Sequence, residues 1–168
     1  MLAAVLNEQP QLFQAVIMNV ASLDVVSALV DEHHGLTELG DPHDDAVVDE
    51  AAKWSPVQNL PTAPRTWPAM LLRAGMQDEA VPFWGPAMYV AVLRHLARLA
   101  GGRAGMRGHV VGEEGRVAGG LASQPLLLQV LAGGHDCCDS VEAQADQVAF
   151  LLQHVQVLGP GGQPDEQA

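Results

Sequence analysis

Residues 68–83 read PAMLLRAGMQDEAVPF. The apolar run from Pro68 to Gly75 has the length of a strand, and the spacing turns helical from about Pro82. A continuous apolar run between turn residues suits a parallel strand buried on both faces. Gly75 then lets the chain turn, and Asp78 stands where the strand gives way to a helix. In a parallel α/β sheet the carboxyl ends of the strands are where ligands collect, so the position of this carboxylate matters.

Working outward, Gln14 to Val20 (QAVIMNV) and Pro125 to Leu131 (PLLLQVL) are further strand-length apolar runs. Helical segments lie between and around them. Leu2, Val5 and Leu6 share one helical face, closed by Pro10; Asp45 to Trp54 forms a short helix ended by Ser55-Pro56. From Pro82 to Ala100 the spacing of Met88, Val92, Leu96 and Leu99 predicts a helix, with proline tolerated only in its first turn. Asp139 with Glu142 offers a capping box for a last helix carrying Val141, Val148, Leu151, Leu152 and Val155 on one side. The alternation predicts an α/β fold with parallel strands and flanking helices. Residues 101–120 hold 8 of the 17 glycines and read as a flexible insert, about 101–123, while GPGGQPDEQA (159–168) reads as a disordered tail.

The chain has 168 residues, 48% of them hydrophobic, enough for one domain with a core. Lys and Arg total 8 against 20 Asp and Glu, for a formal charge of −12. That charge repels nucleic acid and anionic membrane surfaces, so neither is an expected partner. Seven of the eight basic residues are arginine, which we read as a compositional bias. No apolar run is long enough to span a bilayer, and MLAAVLNEQPQLF lacks the basic start of a secretory signal. Cys137 and Cys138 are adjacent, a geometry that strains a disulfide, and they indicate no disulfide framework. A reducing, cytoplasmic location is the expectation.

Asp78 and His135 each follow a strand by a few residues, and Gly133-Gly134 lets the loop before His135 approach a site closely. A carboxylate on imidazole Nδ1 fixes the tautomer and stabilises the imidazolium, the arrangement of an orienting acid and a general base. An aspartate in such a turn is also a common helix cap, and position alone leaves both readings open. His33, His34 and His43, among Asp31, Glu32, Asp41, Asp44 and Asp45, match no metal-ligand spacing and read as a solvated acidic loop. The glycine-rich insert lacks the phosphate-loop pattern. No metal or organic cofactor is expected.

Four segments together resemble the C-terminal part of the catalytic domain of the prolyl oligopeptidase family of serine peptidases, nearest its oligopeptidase B branch. AAVLNEQPQLFQAVI resembles the helix and strand after the family's nucleophile, and KWSPVQNL its "YSP..N" segment. GMQDEAVPFWGPAMYVAVLR resembles the turn with the triad aspartate and the following helix, and GGHDCCDSVEAQADQVAFLL the triad-histidine loop and terminal helix. The resemblance runs in one register from residue 1 to about 155, and it implies that residues 1–158 form part of an α/β-hydrolase fold. It implies Asp78 as the orienting carboxylate, His135 as the general base, and Val81 as an apolar wall beside the first specificity pocket. It also places the G-x-S-x-G nucleophile elbow ahead of the segment matching Met1, and none of Ser22, Ser27, Ser55, Ser123 and Ser140 stands in such a motif.

Two departures stand out: Ala80, where the family often has a longer polar side chain, and Asp136, where a glycine is common. The latter carboxylate is positioned to raise the pKa of His135 or to compete with Asp78 for it. The expectation is a serine-type peptidase acting on short peptides, present as a fragment with the acid and base but without the nucleophile and inactive alone. Two alternatives are a non-catalytic remnant that binds peptides or protein partners through an exposed sheet edge, and a different α/β-hydrolase such as an esterase.

Overall fold

The computed structural model describes residues 1–30, 39–62, 66–99 and 124–156. Segment 31–38 with His33 and His34, the stretch 101–123 and the tail 159–168 lie outside the described residues. Three parallel strands form one sheet in the order β1 (Ala15–Asn19), β2 (Ala69–Gly75), β3 (Leu126–Leu131). Ala15 pairs with Ala69 and Met70 with Leu126, so the three strands run in step and end at a common rim. Helix α1 (Leu2–Glu8) precedes β1, α2 (Val25–Val30) and α3 (Asp45–Trp54) connect β1 to β2, α4 (Trp84–Leu99) connects β2 to β3, and α5 (Val141–His154) closes the order. Among the described residues no helix is long and apolar enough to cross a membrane.

Alternation along the strands sorts the core into two layers. Val16, Met18, Met70 and Leu72 meet α1 and α4 through Ala3, Leu6, Tyr89, Val90 and Leu93 on one face, while Ala69 and Leu71 meet Phe150 of α5 on the other. All seven residues of β2 are buried, Arg73 among otherwise apolar residues. β1 alternates between half-buried and buried, and β3 is half-buried throughout, because each is an outer strand of this sheet.

Helices α1, α3, α4 and α5 lie where the sequence reading puts them, but their inward faces agree only in part, with Leu6 of α1 and Leu96 of α4 buried as read. Leu2 and Val5 of α1, Met88 and Leu99 of α4, Val141, Val148, Leu151 and Leu152 of α5, and Val155 just beyond it are all exposed. Beside Leu6 and Leu96, the buried positions are Ala3, then Tyr89, Val90 and Leu93, then Ala143 and Phe150. These helices carry more apolar residues than one stripe can bury, and the packed stripe is the one that fits the sheet. The cap of α5 is likewise Ser140, whose side chain accepts from Ala143 N–H, and not Asp139, whose own N–H is held in a turn by Asp136.

Buried polar groups join the layers. Asn7 donates to the carbonyls of Pro56 (2.8 Å) and Asn59 (3.1 Å) and accepts from the Tyr89 hydroxyl (2.6 Å), tying α1, the KWSPVQNL segment and α4 together. Ser55 accepts from Val25 N–H and donates to Gln58, whose amide donates to Asp24 at 2.9 Å. Burial would push the Asp24 carboxyl up, but donors from Ser27 and Gln58 outweigh it and hold it below its ordinary value. Asn7, Ser55 and Asp24 thus have partners, which keeps the cost of burying them low, whereas Asn19 Oδ1 and Trp67 Nε1 are buried without one.

The helix faces give a direct test by chemical denaturation. Leu93→Ala, at a site with 0% exposure, is expected to cost about 2–5 kcal/mol, whereas Leu152→Ala, at 77% exposure, is expected to change stability by under about 0.5 kcal/mol. Equal costs would contradict the packing described.

Candidate active site

The common rim of the sheet is where the two singled-out side chains meet. β2 ends at Gly75, and a Cβ there would lie 2.4 Å from the Gly134 carbonyl oxygen and 2.7 Å from that of Gly133. Only glycine allows the two loops this close, and Gly133, at φ +112°, occupies the conformation that glycine adopts freely. Across the gap Met76 N–H donates to Leu131 O (2.8 Å) and Gln77 N–H to Gly133 O (2.9 Å). The Gln77 side chain returns the bond, its Oε1 accepting from Gly133 N–H at 2.7 Å. The turn after β2 and the loop after β3 are therefore stitched together by backbone.

Asp78 sits one residue beyond the stitch. Its Oδ1 accepts from the amides of Ala80 and Val81, each at 2.9 Å, which makes it the cap of its own turn. Its Oδ2 lies 3.1 Å from Nδ1 of His135. The carboxylate is wholly covered while the imidazole is 58% exposed. Burial would raise the Asp78 carboxyl, but the Val81 and Ala80 amides, then His135, together hold it below the ordinary carboxylate value. One carboxylate oxygen thus serves as a cap and the other contacts the imidazole, so the geometry accommodates both readings. With an ionised carboxylate on Nδ1, that nitrogen carries the proton and Nε2 is left to accept one.

Val81 is half-buried and lines a shallow cleft with Ala21, Leu23, Ala80 and Trp84. Asp136 is exposed, and the carboxylate facing Nδ1 of His135 is that of Asp78. Among the described residues no group of three or more His, Cys, Asp or Glu is placed to hold a metal ion. His43 pairs with Asp41 at 3.0 Å on the surface.

Two residues that hold this rim were not singled out from the sequence. Gln77 gave no signal, since its partner is 56 positions away. Arg73, counted there as compositional bias, lies in the middle of β2 with 1% exposure. Its guanidinium donates to Gln129 Oε1 (2.8 Å) and to the Ala143 carbonyl, and reaches Asp146 at 3.4 Å. It thereby ties the first turn of α5, and with it the end of the His135 loop, to the central strands. A charged residue in a strand otherwise wholly apolar was the available clue, because such a group is buried only with partners.

The sequence profile of the prolyl oligopeptidase family matches residues 1–115. The chain belongs to the prolyl oligopeptidase family. Its curated relatives include a dipeptidyl aminopeptidase BI of Pseudoxanthomonas mexicana, 34% identical over 101 residues, covering 57% of this chain and 14% of that protein. A prolyl endopeptidase-like protein of Gallus gallus is 25% identical over 164 residues, covering 92% of this chain and 20% of its own. Among solved structures, the oligopeptidase B of Trypanosoma brucei with covalently bound antipain, in its closed form, matches with a TM-score of 0.63 and 27% identity, over 94% of this chain and 21% of that one. The fold is that of part of an α/β-hydrolase domain, and the chain spans about a fifth or less of the length of these prolyl oligopeptidase relatives.

Two outcomes follow from the geometry. Gly75→Ala is expected to cost about 1–3 kcal/mol by overpacking against backbone that cannot retreat, read by urea denaturation; a neutral result contradicts the close approach. The lowered carboxyl of Asp78 contributes stability that is fully present above its unfolded value, about 3.9, and is lost as pH falls through its lower folded value. Stability measured across that acid range should therefore depend less on pH in Asp78→Asn than in the natural chain; equal slopes would contradict the assignment.

Proposed function

We propose that this chain supplies the acid and base of a serine peptidase site, Asp78 orienting His135 as the general base. The observation that carries the reading is the 3.1 Å approach of a covered carboxylate to Nδ1 of an exposed imidazole at the rim of a parallel sheet. In this reading Nε2 of His135 takes the proton of an attacking serine and later returns it to the leaving amine, while Asp78 stays ionised and stabilises the imidazolium. The nucleophile is the missing part: none of the 168 residues stands in a G-x-S-x-G motif. The serine and its oxyanion-hole amide then come from another stretch of polypeptide, and the chain alone is a fragment of the active centre.

Short peptides are the proposed substrates, taken through an acyl-enzyme, with Val81 and the cleft beside it receiving an apolar part of the substrate. Cleavage after basic residues is what the oligopeptidase B likeness supports, and the net charge of −12 is compatible with it. One observation favours a second reading, an association module. Among the described residues β1 pairs only with β2, which leaves its other edge free to accept a strand. The two readings meet if the added strand is the one that carries the nucleophile.

Labelling with a serine-directed fluorophosphonate separates them. The chain alone is expected to remain unlabelled, and a fusion placing a relative's nucleophile-bearing segment ahead of Met1 is expected to be labelled and to hydrolyse peptides. In that fusion Asp78→Asn should lower kcat by about 10⁴-fold through the wrong tautomer of His135. Strong labelling of the chain alone, or full activity of the Asp78→Asn fusion, would contradict the proposal.

A further inference from the structure

Cys137 and Cys138 are the only cysteines of the chain and follow His135 in the loop, with Asp136 between. Both are free thiols, Cys137 half-buried and Cys138 buried, with their Sγ atoms 3.5 Å apart. Side chains of neighbouring residues in extended backbone point to opposite sides. Here the turn brings them together: Cys137 N–H donates to Gly134 O at 3.2 Å and Asp139 N–H to Asp136 O at 3.0 Å, so the pair is pinned on both sides. The buried Arg73 lies near enough to Cys138 to act on it electrostatically.

Such a pair can be joined directly or bridged by one atom. A direct disulfide prefers Cα atoms about 4.4–6.8 Å apart, whereas neighbours across a trans peptide stand at about 3.8 Å. Bond formation would have to distort the turn that presents His135. A single soft atom set between the sulfurs removes that demand, because each sulfur then bonds to the bridge and not to its neighbour. Zinc is a poor candidate, since structural sites use four ligands and no third donor stands with the pair among the described residues. Thiol ligands select soft acceptors, and two sulfurs suit one that needs only two new bonds.

We propose that Cys137 and Cys138 form a two-thiol binding site for a trivalent arsenical. The reaction balances without a change of oxidation state: an arsenic bearing two hydroxyls forms two As–S bonds, two As–O bonds break, and the two thiol protons leave in two molecules of water. Cys137, the more accessible sulfur, bonds first. Burial pushes the Cys138 thiol up to about 11, so it enters as S–H and closes the ring. The ring lies two residues from His135, in the loop that positions the imidazole. The site stands on the sulfur geometry and does not require His135 to be catalytic.

The probe is phenylarsine oxide, titrated into the full chain under native conditions and read by intact mass. One adduct per chain is expected, retained against excess glutathione, while Cys137→Ser and Cys138→Ala are each expected to lose it to the monothiol. The imidazole resonances of His135 should shift on binding in the natural chain and not in either variant. Retention should weaken by about tenfold or more in denaturant, where the turn no longer holds the sulfurs together. An adduct that glutathione strips from the natural chain, one that survives in a single-cysteine variant, or equal retention in native and denatured chain would each overturn the proposal.

Discussion

The rim of this sheet depends on one close approach: the end of β2 lies so near the loop after β3 that no side chain atom fits at Gly75. From that contact the other distances at the rim follow. Gln77 is placed to exchange two hydrogen bonds with Gly133, and Asp78, next in the chain, is carried to within 3.1 Å of His135. The two amides on Oδ1 fix the carboxylate independently of the imidazole, so its other oxygen is aimed before the histidine is counted. Preorganisation of this kind is what a proton-transfer pair needs, since little has to move when charge develops.

Behind the rim, long-range polar contacts hold the layers that carry it. Arg73 joins the central strand to Gln129 of β3 and to the first turn of α5, which brackets the His135 loop from its far side. Asn7 and Tyr89 lock α1 to α4, and the Ser55, Gln58 and Asp24 chain fixes the segment leading to the cleft beside Val81. In the proposed reading, a serine peptidase site divides its work among separate stretches of sequence, and the stretches held together here are those that would place the acid and the base.

The strands were legible because each is a short apolar run bounded by turn residues, and their common direction followed from the helices between them. Helix α3 was read at Asp45–Trp54, where Asp44 caps its start and Ser55-Pro56 ends it. The rim pair was legible because strand ends in a parallel sheet converge. Helix faces were not: α5 offers both a Val148, Leu151, Leu152 stripe and an Ala143, Phe150 stripe, and only contact with the sheet decides between them. Gln77 was invisible, and the partners of Arg73 unreadable, for a related reason, since the fold brings those partners in from more than fifty positions away. The cap of α5 was misplaced by one residue because Asp139 is consumed by the turn that holds the two cysteines.

The protonation of the His135 ring in the neutral state tests the account most directly. A long-range nitrogen–proton correlation spectrum of the imidazole, recorded in mildly alkaline solution, distinguishes the two tautomers without reference to activity. The account predicts a proton held on Nδ1 and a bare Nε2, reverting to an ordinary mixture when Asp78 is replaced by alanine. A ring protonated on Nε2, or one indifferent to that replacement, would contradict it.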